Sequence, residues 1–169
     1  MEKLCVIKSK EEYNQQREFF SREIPIVYER ENNKERAAEI LDFFDGYFDE
    51  HKNNFFAILV ENKRIKSIAR FQFYDNLDCL FITGAQTAPE FRKQGCAYRL
   101  LENTISYVQR VNKDVPIKLW VNKTNTPAVK LYKKLGFEVT SKEDKDIPLK
   151  FIEMEYEDIM TYKNISKTS

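Results

Sequence analysis

Thr87-Ala-Pro-Glu-Phe-Arg-Lys-Gln-Gly-Cys-Ala-Tyr-Arg-Leu-Leu101 joins two unlike patterns: an apolar, strand-like run before it and an amphipathic helical repeat after it. Pro89 lacks an N–H and suits a strand exit. Arg92 and Lys93 form a basic pair. Gly95 can take backbone angles closed to other residues. Gly95 and Ala97 both lack bulk, so a ligand can approach the main chain. A helix start with free N–H groups favours a phosphate. On composition alone, the same stretch is a strand–helix loop with a glycine turn and solvated basic residues. It fits neither G-x-G-x-x-G nor G-x-x-x-x-G-K-[ST], so neither a Rossmann site nor a P-loop is supported.

Working upstream, residues 77–87 form the strand that feeds the junction. Residues 55–60 and 65–73 are two β-rich runs separated by Glu-Asn-Lys-Arg, a hairpin pattern. Residues 35–50 repeat Ile40, Leu41, Phe44, Tyr47 and Phe48 at helical spacing, with Asp42, Asp45 and Asp49 on another face. A first strand is expected at 4–8 and a helix over 10–23, stopped near Pro25. Downstream, residues 97–112 form a helix with Leu100, Leu101, Thr104, Ile105, Val108 and Val111 facing inward. A strand follows at 115–121, a helix at 127–135, and strands at 137–140 and 151–156. This order predicts an α/β layered domain: a mixed, mostly antiparallel sheet of six to seven strands flanked by about four helices. Its parallel pair is the strand ending near Thr87 and the strand at 116–121, joined by a crossover helix. A single domain is expected over 1–160, with a polar, frayed tail beyond it.

The second informative stretch is Asn122-Lys-Thr-Asn-Thr-Pro-Ala-Val-Lys-Leu-Tyr-Lys-Lys-Leu-Gly-Phe137. Thr126 suits an N-cap and Pro127 the first helical position. Ala128, Leu131 and Leu135 give an inward stripe, and Gly136 suits the C′ position. Capping then leaves the Asn125 amide free. On spacing alone, Tyr132 is a half-buried core tyrosine.

The totals bound the function. With 28 Lys and Arg against 27 Asp and Glu, the net charge is +1, so nothing draws the chain broadly to nucleic acid or membrane. No apolar run reaches transmembrane length. Cys5, Cys79 and Cys96 are few and scattered, which indicates a reducing cytoplasm. The lone histidine, His51, has no cysteine partner at zinc spacing, so no metal is expected.

Together the two stretches resemble the GNAT N-acetyltransferase superfamily. Arg92-Lys-Gln-Gly-Cys-Ala97 fits that family's R/Q-x-x-G-x-G/A motif. Asn125-x-x-Ala128-x-x-Leu131-Tyr132-x-x-Leu135-Gly136-Phe137 is similar to its second signature. The resemblance implies the GNAT fold and acetyl-CoA, or a related acyl-CoA, as donor. It places the pyrophosphate on the backbone amides of Lys93, Gln94, Gly95, Cys96, Ala97 and Tyr98, beside Arg92. It lays the pantetheine along the strand edge at Ala85 and Thr87, like an added strand. Asn125 would hydrogen-bond the cofactor, and Tyr132 would protonate the leaving thiolate.

The run Cys79–Thr87 contains no carboxylate to serve as the base that some family members carry there. Gln86 and Thr83 are poor bases, and Asp78, Glu61 and His51 are not well placed by sequence. The expected function is acetyl transfer to a primary amine by direct attack; the alternative is an acyl-CoA-binding module without turnover. The acidic face at Asp42, Asp45, Asp49 and Glu50 is either a lure for a cationic amine or a solvated helix face. Phe43, Tyr47, Phe71, Phe73 and Tyr74 line a pocket or fill the core. An exposed sheet edge is compatible with a homodimer. The acceptor is not legible.

Overall fold

The computed structural model describes residues 1–29, 35–50, 53–141 and 157–163. Its elements are β1 (Lys3–Ile7), α1 (Lys10–Gln15), α2 (Arg17–Val27), α3 (Glu35–Glu50), β2 (Phe55–Glu61), β3 (Arg64–Tyr74) and β4 (Cys79–Thr87). After a 3₁₀ turn at Pro89–Phe91 come α4 (Cys96–Val111), β5 (Ile117–Asn122), α5 (Thr126–Leu135), β6 (Phe137–Val139) and β7 (Glu157–Tyr162). The seven strands form one sheet in the order β1-β2-β3-β4-β5-β7-β6. Only β4 and β5 are parallel; the other pairs are antiparallel. This is the mixed sheet expected from the element order.

Alternation along the strands supplies two cores. On one face Ala57, Leu59, Ala69, Phe71, Leu80 and Ile82 meet Leu100, Leu101, Ile105 and Val108 of α4, and α5 packs against the same cluster. On the other face Phe56, Ile58, Ile65 and Ile68 meet Tyr13, Phe20, Ile24, Phe44 and Tyr47 from α1–α3. The β2–β3 hairpin turns through Asn62 and Lys63, both at positive φ, the conformation a two-residue I′ turn needs.

Four expectations change. The helix over 10–23 is two helices, broken at Gln16 (φ −117°, ψ 19°). Tyr13 and Phe20, on either side of the break, stack with ring centroids 5.2 Å apart. Pro25 does not stop α2 but sits inside its last turn. There its missing N–H removes one intrahelical bond, and the helix runs only two residues further. Val111 closes α4 and is 72% exposed rather than inward. β7 reaches Tyr162, past the boundary placed at 160. The strand expected at 151–156, His51 and residues 164–169 lie outside the described residues.

Candidate active site

The parallel pair diverges. Register between β4 and β5 runs only from Leu80↔Ile117 to Ile82↔Leu119. Beyond it, β4 continues to Thr87 beside β3 alone, and β5 continues to Asn122 beside β7. The facing edges are left open. A bulge at Thr83 helps set what the open edge presents, since Arg70 pairs Gly84 while Phe71 pairs Ile82. Ala88 N–H donates to Lys66 O at 2.9 Å. Alternation back from Ala88 then turns the N–H and C=O of Ala85 and Thr87 away from β3, toward the gap. The Thr87 carbonyl there accepts from Arg92 Nε at 3.3 Å.

The loop after β4 reverses through two left-handed residues, Lys93 (φ 60°) and Gly95 (φ 73°). Gly95 is the N-cap of α4 and brings no side chain to it. The first helical bond is Arg99 N–H to Gly95 O at 3.1 Å. The N–H groups of Lys93, Gln94, Gly95, Cys96, Ala97 and Tyr98 therefore have no acceptor among the described residues. With the positive end of a 16-residue helix behind them, they form a concave anion seat. Arg99 braces it: Nη1 donates to Gln94 O at 2.7 Å, and Nε and Nη2 each donate to Glu2 at 2.8 Å. The Gln94 side chain donates to Glu90 O, so its own role is to hold the turn.

Asn125 differs from expectation. It, not Thr126, is the N-cap of α5, and its Oδ1 accepts from Ala128 N–H at 3.4 Å. The preceding turn, closed by Asn125 N–H on Asn122 O, puts Asn125 in the cap position. Pro127 then falls at N2 without an N–H, so the cap reaches to N3. Only the amide nitrogen of Asn125 stays uncommitted.

Tyr132 is half-buried, its ring 6.0 Å from that of Phe137. Burial pushes its phenol above the ordinary tyrosine value. Both helices follow the two parallel strands, so their N-terminal ends lie at the carboxyl ends of β4 and β5, where open α/β sheets bind ligands. Lys134 Nζ lies 4.6 Å from the centre of the Tyr98 ring, which brings α5 onto the start of α4.

The other candidates resolve toward structural roles. Asp45 pairs with Arg17 and Asp49 with Lys10, each at 2.6 Å, so two carboxylates of the acidic face of α3 are neutralised by α1 and α2. Tyr47 and Phe71 are core, and the Tyr47 hydroxyl reaches Phe71 O at 2.8 Å. Glu61 is held by Lys66, and Asp78 sits in the turn before β4. Sequence reasoning passed over Arg70, Tyr28 and Gly84. The signal for Arg70 was visible: a lone arginine inside Ile65–Phe73, where its neighbours are apolar.

The fold, the open parallel pair and the amide-lined helix start define an acetyltransferase of the GNAT class. A GNAT acetyltransferase domain model matches residues 13–158, and the chain belongs to that family. Part of it is 34% identical, over 56 residues, to the catalytic subunit of the N-terminal acetyltransferase B complex of Arabidopsis thaliana. That match covers 33% of this chain and 32% of the relative. Among solved structures, the PaiA N-acetyltransferase of Thermoplasma acidophilum in complex with coenzyme A has a TM-score of 0.58 at 14% identity, covering 95% of this chain and 99% of that one. The ribosomal-protein-S18-alanine N-acetyltransferase of Escherichia coli has a TM-score of 0.60 at 16% identity, covering 96% and 93%. A chimeric spermidine N-acetyltransferase SpeG from Vibrio cholerae has a TM-score of 0.63 at 17% identity, covering 94% of both chains. At these identities the structures establish the fold. Among the described residues, no helix is long and apolar enough to cross a membrane.

Proposed function

We propose that this chain is an N-acetyltransferase that moves an acetyl group from acetyl-CoA to a primary amine by direct attack. The observation that carries the reading is the run of unpartnered N–H groups from Lys93 to Tyr98, at the end of a strand whose own edge is open at Ala85 and Thr87. The amides would hold the pyrophosphate, with Arg92 beside them, and the strand edge would hold the pantetheine. The Asn125 amide nitrogen would donate to the cofactor.

An amine attacks only when neutral, and a lysine-like amine has a pKa of about 10.4, so its proton must leave to water or a base. Cys79–Thr87 offers no carboxylate, and we assign no base. The amine nitrogen bonds to the carbonyl carbon, giving a tetrahedral oxyanion that a strand N–H can stabilise. The attacking nitrogen gives up its extra proton to water, the C–S bond breaks, and the thiolate takes a proton from Tyr132, which water restores. A phenol is suited to this because burial keeps it protonated above its ordinary value. Positioning the two substrates supplies much of the rate. The three free cysteines agree with a cytoplasmic protein. The relatives act on acceptors as unlike as spermidine and a ribosomal-protein alanine, so the fold does not choose this acceptor.

Acetyl-CoA at 100 times its dissociation constant should stabilise the chain by about 2.7 kcal/mol in a thermal melt. No shift would remove the donor assignment. Gly95→Glu should abolish binding, because its side chain would occupy the anion seat. Thiol release with a panel of amines tests turnover. Binding without release to any amine would leave the acyl-CoA-binding module, the reading favoured by the missing strand carboxylate.

A further inference from the structure

Three partly buried cations are held by carboxylates. Arg64 has Glu23 and Glu90, Lys66 has Glu2 and Glu61, and Arg99 has Glu2. Arg70 has none among the described residues. It leaves β3 on the face that α2 and α3 cover. There its guanidinium lies 4.7 Å from the centre of the Phe43 ring, and Nη2 donates to Thr83 O at 3.3 Å. Its Nε is buried and has no hydrogen-bond partner. The Tyr28 hydroxyl is also buried and without one. The positive charge of Arg70 acts on Tyr28 and Tyr47, drawing both phenols back down against the rise that burial causes. Arg70 thus lies within hydrogen-bonding reach of the Tyr28 hydroxyl, yet neither its Nε–H nor the Tyr28 O–H has an acceptor among the described residues, although buried polar groups are nearly always satisfied and buried charges nearly always paired.

The place is the bulge of β4, between the end of β5 pairing at Ile82 and the open edge at Ala85 and Thr87. Gly84 makes the room. A Cβ there would overlap Arg70 Nη2, so the absence of a side chain at Gly84 is what lets the guanidinium lie over the strand. A planar fork with a free Nε–H, beside a phenol O–H, matches a carboxylate.

We infer that Arg70 and Tyr28 receive a carboxylate carried by the amine acceptor, so that the substrate class is amines with a nearby carboxylate, such as amino acids or acidic peptides, and not polycations. Nε and one Nη of Arg70 donate to the carboxylate, and the Tyr28 hydroxyl donates a third bond. The acceptor's amine would then lie toward the open edge at Ala85, along which the pantetheine is proposed to run. This inference rests on the donor assignment made under Proposed function. It also turns from the expectation of an acidic lure: Asp45 and Asp49 of the acidic face are paired internally, whereas Arg70 has no carboxylate among the described residues.

The test uses two matched pairs of probes: glycine with glycinamide, and the dipeptide amide Ala-Glu-NH₂ with Ala-Gln-NH₂. In protein labelled with ¹⁵N-arginine, the Arg70 Nε–H resonance, identified by its loss in Arg70→Lys, should move with the carboxylate member of at least one pair and not with its neutral mate. The same member should show kcat/KM higher by about tenfold or more, the size of one charge-assisted hydrogen bond. Arg70→Met should bring that ratio close to one. Gly84→Ala should do the same by displacing the guanidinium while the arginine is kept, and it reads the inference if Arg70→Met does not fold. Tyr28→Phe should lower the ratio in part. A resonance that moves with neither carboxylate, or equally with carboxylate and amide, overturns the inference, as does a preference that survives both Arg70→Met and Gly84→Ala. The acetyl-CoA melt is run on the same protein. A donor that binds while Arg70 stays silent defeats this inference alone, whereas failure of the melt defeats the donor assignment.

Discussion

Tyr132 and Glu2 show how single residues serve the site in different ways. On the proposed mechanism Tyr132 would hold a proton until a thiolate appears, and its burial, with its ring beside Phe137, favours that. Tyr132→Phe removes the hydroxyl and little else. We expect kcat to fall by about a hundredfold, within the range of general acid catalysis, with the dissociation constant for acetyl-CoA nearly unchanged. Single-turnover kinetics would check this, and unchanged chemistry would exclude Tyr132 as the acid. Because the phenol is raised, kcat should show no alkaline loss from this group below about pH 10. Glu2 works at a distance. Hydrogen bonds from Arg99, and secondarily from Lys66, outweigh burial and hold its carboxyl at about 2, against an ordinary 4.5. Its folded pKa is depressed, so its contribution is complete above 4.5 and is lost as pH falls toward 2. Discounted for partial exposure, that contribution is about 1–2 kcal/mol. Glu2→Gln should lose this at neutral pH, and the gap to the parent should close on acidification, as read by urea titration. It should also weaken acetyl-CoA binding, since Glu2 steadies the arginine that braces Gln94 O.

Among the elements, α2 is fastened to the sheet by charge. Glu23 is buried, and burial alone would raise its carboxyl. Bonds from Arg22, the Ile65 N–H and Arg64 instead carry it below the usual range. These bonds tie α2 to the first turn of β3. Glu23→Ala would leave Arg64 and the Ile65 N–H without that acceptor and should cost about 1–3 kcal/mol in denaturant unfolding, as loss of the acceptor of a buried N–H does. A loss below about 0.5 kcal/mol, the size of an exposed pair, would show the tie to be incidental. The elements themselves were largely legible, because periodicity reports which face is buried: Leu100, Leu101, Thr104, Ile105 and Val108 are where the helical repeat puts them. What periodicity cannot report is where a helix overhangs its sheet, which is why Val111 is exposed. Nor does it report that a proline is harmless in a last turn, as Pro25 is in α2. The anion seat could be read because glycine and proline mark backbone geometry locally. Arg70, Tyr28 and Gly84 could not be read together, because they meet only across three elements and through a bulge that shifts the register by one residue.

At the scale of the whole molecule, the proposed reading divides the work between the two faces of the sheet. The α4–α5 face would supply the anion seat, Asn125 and Tyr132; the α1–α3 face would supply Arg70 and Tyr28. The two meet only where β4 and β5 part. If that gap is the donor site, acetyl-CoA must touch both of its arms and nothing on the far side of the sheet. Hydrogen exchange can resolve this. With acetyl-CoA bound, amides that exchange by local fluctuation should slow by about tenfold or more, or about 1.4 kcal/mol, at Ala85, Thr87 and Lys93 through Tyr98. Amides in β1 and β2 that exchange by local opening should be unaffected, while those requiring global unfolding should gain only the overall stabilisation of the bound state. Protection confined to the loop 93–98 would mean that phosphate binds but the strand edge does not carry the pantetheine. Protection spread evenly over both sheet halves would mean that the gap is not where the cofactor lies.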